Sequence, residues 1–68
     1  MDIRILVGKR VKELRNNIGI SQEELSDIAE LDRTYITSVE CGKRNISIVN
    51  IEKLANALKV TLSEFFCF

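Results

Sequence analysis

The sequence predicts an all-α domain, a compact bundle of five short helices. Three observations carry that expectation. Prolines are absent, and the three glycines stand at positions 8, 19 and 42, so little interrupts a helix interior. Apolar residues recur at three- and four-residue spacing, the period of a helix with one buried face. Side chains that cap helix starts return often enough to leave room only for short helices between them.

The first helix covers residues 3–18. Ile3, Val7, Val11, Leu14 and Ile18 fall within one narrow stripe at 100° per residue, and Gly19 is placed to end it. Ser21-Gln22-Glu23-Glu24 has the form of a capping box. It opens a second helix over about 22–29, expected to bury Leu25, Ile28 and Ala29. Asp32 is the next strong N-cap, and its charge suits the positive helix end. A third helix follows over about 33–40, with Gly42 just beyond. Only Glu30 and Leu31 separate it from the second, so the connection is a tight turn. Ser47 caps a fourth helix, about 48–58, expected to bury Ile48, Ile51, Leu54, Ala55 and Leu58. Thr61-Leu62-Ser63-Glu64 repeats the capping-box pattern and opens a last helix ending near Phe66.

The 68 residues, 46% hydrophobic and 29% charged, have globular composition. They form one expected domain, 1–68. A domain this small buries only about 60% of its unfolded surface, so it needs a stabilising partner. No histidine occurs and the two cysteines are distant in sequence, which excludes the common zinc patterns. The expected helper is therefore a second copy of the chain. No stretch approaches the ~20 apolar residues of a membrane span, and Met1-Asp2-Ile3-Arg4 lacks a signal-peptide run. No membrane partner and a cytoplasmic location are expected.

Net charge is zero, but its distribution is uneven. Residues 1–20 carry five basic and two acidic groups, net +3. Residues 21–32 carry five acidic groups and no basic one, net −5. Residues 33–45 carry Arg33, Lys43 and Arg44 against Glu40, net +2. Such a chain can attract phosphate with one face while repelling it with another, because fields decay over about 8 Å at physiological salt.

On a wheel starting at Arg33, Thr34, Thr37 and Ser38 lie at about 100°, 40° and 140°. Arg33, Thr34, Thr37 and Ser38 thus share one polar face, with Ile36 and Val39 opposite. An arginine beside small hydroxyls suits a DNA major groove: arginine bonds guanine O6 and N7 together, and threonine touches a thymine methyl or bonds a base. One helix, a tight turn and a polar-faced helix make a helix-turn-helix, here about 22–41.

The stretch SQEELSDIAELDRTYITSVECGKRN, residues 21–45, resembles the Cro/repressor-type (xenobiotic-response-element) helix-turn-helix family. The resemblance runs from about Val7 to Phe66. It rests on Gln22, on Leu25 and Ala29, on Ile36 and Val39, and on Glu40-x-Gly42-Lys43. LDRTYI (31–36) with Lys43-Arg44-Asn45 is most similar to the controller proteins of restriction–modification systems. The resemblance implies a lambda-repressor-like DNA-binding domain and a homodimeric transcription regulator at a palindromic operator in double-stranded DNA. It assigns base reading to Arg33, Thr34, Thr37 and Ser38, with adjacent phosphates as a second target for Thr37 and Ser38. It assigns phosphate binding to Gln22, Tyr35, Lys43, Arg44 and Asn45. It pairs Arg15 with Glu40 in a buried ion pair. RNA polymerase is a further implied partner. The family usually has glycine in the turn, where this chain has Glu30.

Dimerisation is expected in 46–68. Phe65, Phe66 and Phe68 are too many aromatics for so small a core, so the dimer contact is expected among them and Ile48, Val49 and Leu62. Cys41 and Cys67 are expected as small buried hydrophobes. Other readings compatible with these residues are a phage or mobile-element repressor and an antitoxin-like protein-interaction module. An enzyme is not expected: no histidine, phosphate-cradling loop or nucleophile–base motif occurs, and no motif calls for a cofactor or metal.

Overall fold

Each helix of the chain begins at a side-chain oxygen that takes a backbone amide. In the computed structural model, which describes residues 2–68, the caps are Asp2, Ser21, Asp32, Ser47 and Thr61. They open α1 (Ile3–Asn17), α2 (Gln22–Ala29), α3 (Arg33–Glu40), α4 (Ile48–Ala57) and α5 (Leu62–Phe65). Met1, where the expected domain begins, lies outside the described residues. Both expected capping boxes are reciprocal, Ser21 with Glu24 and Thr61 with Glu64. No strand occurs among the described residues.

The core takes one stripe from every helix. Val7, Val11 and Leu14 of α1 meet Leu25 and Ala29 of α2 and Ile36 and Val39 of α3. Leu54, Ala55, Ala57 and Leu58 at α4 and Phe65 of α5 close it. α1 approaches α3 so closely that Gly8 is required there: a Cβ would collide with the Val39 and Glu40 carbonyl oxygens. Gly42, at φ 74°, ends α3. Its amide donates to the Val39 carbonyl while the Lys43 amide donates to the Ser38 carbonyl, the left-handed closure that glycine favours.

Four expectations about burial are corrected. Phe65, expected at a dimer contact, is wholly buried in the protomer's own core. Ile28, expected inside, is 56% exposed, because α2 and α4 diverge beside it. They leave an open cleft of about 280 Å³ lined by Ile28, Lys53 and Asn56. Ile48, also expected inside, is 79% exposed, since the first turn of α4 projects past the core. Cys41 and Cys67 are exposed free thiols, one at the cap ending α3 and the other beyond α5.

Candidate nucleic-acid interface

The tight turn between α2 and α3 depends on Glu30, which adopts a left-handed backbone (φ 57°, ψ 43°). Its amide donates to the Asp27 and Ser26 carbonyls, which stops α2 and swings the chain round. Asp32 then starts α3, accepting from the Thr34 amide at 2.8 Å and from the Thr34 hydroxyl. The Thr34 hydroxyl, then its amide, hold the Asp32 carboxyl below its ordinary pKa. Ile36 and Val39 are buried. Arg33, Thr34 and Thr37 are exposed and Ser38 is half-buried, so the four residues expected on one outward face do stand there.

Behind that face runs a chain of hydrogen bonds. Arg15 of α1 grips Glu40 through Nε at 2.7 Å and Nη2 at 3.1 Å. Its Nη1 donates to the Ile20 carbonyl at 2.9 Å. This is the expected ion pair, and the Glu40 side chain is only 4% exposed. The carboxylate raises the arginine's pKa. Gln22 Nε2 donates to Glu40 Oε1 at 3.1 Å, and Gln22 Oε1 accepts from the Thr37 hydroxyl at 3.0 Å. Arg33 reaches back to Glu23 at 3.6 Å, both side chains in solvent.

Tyr35 stands half-buried at the edge of the face. Its hydroxyl accepts from Asn50 Nδ2 at 3.1 Å, and the Arg44 guanidinium lies 5.0 Å from the ring centroid. The Arg44 guanidinium and the aromatic face attract each other, so the loop after α3 is anchored to α3. Lys43 and Asn45 flank Arg44 and are exposed.

The helix-turn-helix family model matches residues 11–65. The control protein C.MunI from a Mycoplasma species is 48% identical, the match covering 96% of this chain and 89% of that one. The chain belongs to the helix-turn-helix family, among the restriction–modification control proteins. Two solved structures in the same branch share its fold. The controller protein C.AhdI from Aeromonas hydrophila is 45% identical, with a TM-score of 0.92 over 97% of this chain and 100% of that one. The controller C.Esp1396I, solved as a tetramer with its natural 35 base-pair operator, is 33% identical, with a TM-score of 0.91 over 97% of this chain and 87% of that one.

Large apolar side chains are also exposed on α4 and around α5. Ile48 and Val49 open α4, Leu62 and Phe66 lie on α5 and at its end, and Phe68 follows; all five are exposed. The Phe66 and Phe68 rings are 6.2 Å apart, while Phe66 meets the buried Phe65 edge-on at 5.1 Å. Sequence reasoning did not foresee three contacts that shape these surfaces. Asn50 bonds Tyr35, Asp32 holds the Thr34 hydroxyl, and Arg10 of α1 donates to the Glu64 and Phe65 carbonyls at the end of α5. Only Asp32 had a local signal, as the N-cap two residues before Thr34.

Proposed function

We propose that the chain is a sequence-specific transcription regulator of the restriction–modification control type, acting as a homodimer on a palindromic operator. The observation that carries this reading is the outward face of α3, with Arg33, Thr34, Thr37 and Ser38 exposed or half-exposed on a helix clamped to the core. The longest dimension of the protomer is 30 Å. Successive major grooves are about 34 Å apart, so reading two of them takes two protomers. The apolar surface of Ile48, Val49, Leu62, Phe66 and Phe68 is the contact we assign to the twin. Arg33 is the guanine reader. Lys43, Arg44 and Asn45 hold the phosphate backbone beside the groove, and Tyr35 offers its remaining hydroxyl proton there. Gln22 presents its second amide hydrogen to a phosphate at the start of α2, where free backbone amides favour the same anion. A bound dimer excludes polymerase from an overlapping promoter and is placed to touch it from an adjacent one. The tetramer of C.Esp1396I on its operator favours tandem occupancy here as well. This reading includes no catalytic step.

In vitro selection of bound DNA from a random pool, at two salt concentrations, tests the proposal. The expected product is a two-fold symmetric site whose binding weakens steeply with salt. Arg33→Ala is expected to cost about 1–3 kcal/mol and to relax preference at one base pair per half-site. An unchanged base profile in Arg33→Ala would place the reading surface elsewhere.

A further inference from the structure

The hydrogen-bond polarity of the two threonines on α3 is set by acceptors of the chain itself. A hydroxyl has one proton to donate and two lone pairs that accept. The Thr34 oxygen bonds Asp32 Oδ1, and an ionised carboxylate only accepts. Asp32 is kept ionised at neutral pH, since these bonds hold its carboxyl below the ordinary value. The Thr37 oxygen lies 3.0 Å from Gln22 Oε1 and 3.1 Å from the Arg33 carbonyl oxygen, and both only accept. The orientation of the Gln22 amide follows from the same logic. Glu40, held by two nitrogens of Arg15, demands a donor, so the Gln22 nitrogen faces Glu40 and its oxygen faces Thr37. Both threonine protons are therefore taken by acceptors of the chain itself.

We propose that Thr34 and Thr37 read exocyclic amino groups of operator bases, adenine N6 or cytosine N4, because only their lone pairs face the groove. This inference rests on α3 entering the major groove as proposed above. It narrows the chemistry sharply. Guanine O6, thymine O4, purine N7 and phosphate oxygens are all acceptors, and an outward lone pair repels each of them. Thr37 is thereby removed from the phosphate contacts that the family resemblance allowed. Asp32 and Glu40 act as positioning residues, setting the polarity of side chains that touch DNA, and Gln22 does the same through its oxygen while its second amide hydrogen stays free for the phosphate.

The test uses the full-length protein and the operator obtained by selection. Each adenine of a half-site is replaced in turn by purine, which lacks the N6 amine, and each cytosine by 2-pyrimidinone, which lacks the N4 amine. Purines are separately replaced by their 7-deaza forms, which lack the N7 acceptor. Affinities are measured for the native chain and for Thr34→Val, Thr37→Val, Thr34→Ser and Thr37→Ser. The expected result is one amine per threonine whose removal weakens native binding about five- to tenfold. The same removal has no further effect in the matching valine variant and keeps its effect in the serine variant. Thermal unfolding of each variant checks that it folds. Coupling of either threonine to a 7-deaza substitution, or to no amine at all, overturns the polarity assignment and leaves the regulator reading standing. Failure of the native chain to select any DNA sequence overturns both.

Discussion

At Glu30 a non-glycine residue holds a left-handed backbone, a conformation that costs a residue with a Cβ roughly 1–2 kcal/mol. The side chain is exposed and makes no hydrogen bond among the described residues that would repay this. Glu30→Gly is expected to raise stability by about 0.5–1 kcal/mol, part of the relief being offset by the freer unfolded chain. Operator preference should not change. A lower melting temperature for this variant in thermal denaturation would contradict the account. Asp32 makes a prediction in pH. Its carboxyl is depressed when folded because the Thr34 hydroxyl and amide bond the ionised form. The stability it contributes is therefore complete above the unfolded value, near 3.8, and is lost as pH falls through the lower folded value. Asp32→Asn still caps α3 but carries no charge. The difference in melting temperature between it and the native chain should be constant above about pH 5 and change only below about pH 4.

At the scale of elements, α5 is the least self-sufficient. It is four residues long, far short of what a helix needs alone in water. Thr61 and Glu64 cap its start, and Arg10 of α1 satisfies two carbonyls at its end, reaching across more than fifty residues of sequence. Arg10→Leu should cost about 1.5–3 kcal/mol by chemical denaturation. It should also weaken self-association measured by sedimentation, because Leu62 and Phe66 move with α5. Unchanged dimerisation in a destabilised Arg10→Leu chain would detach α5 from the contact. The helix boundaries were legible because capping is local: Ser21, Asp32, Ser47 and Thr61 each act within three residues. Which apolar residue is finally covered was less legible. Ile28 and Ile48 satisfy the helical period as well as Leu25 and Leu54 do, but the divergence of α2 and α4 and the overhang of α4 exist only once helices are packed. Phe65 and Phe66 are adjacent, and only the docking angle of α5 sends one inward.

For the whole molecule, zero net charge hides a segregated surface, with net −5 over residues 21–32 beside the basic groups at either side. Logarithmic affinity for the operator should fall linearly with logarithmic salt, and Lys43→Ala should shallow that slope by about 1 per half-site. Phe66→Ser, which leaves Phe65 in the core, should raise the concentration for half-dimerisation at least about tenfold, as loss of an interface aromatic does. The common outward face of Arg33, Thr34, Thr37 and Ser38 followed from a 100° step alone. The bonds behind it did not. Gln22 and Thr37 are fifteen residues apart, as are Tyr35 and Asn50, and nothing in chain order announces either pairing. The absent side chain at Gly8 lets α1 lie against the end of α3, and Arg15 fastens the two through Glu40. The outward face of α3 is consequently tied to α1. Heat that loosens α1 is therefore expected to release α3 in the same step, so that thermal loss of operator binding and of α1 structure should coincide.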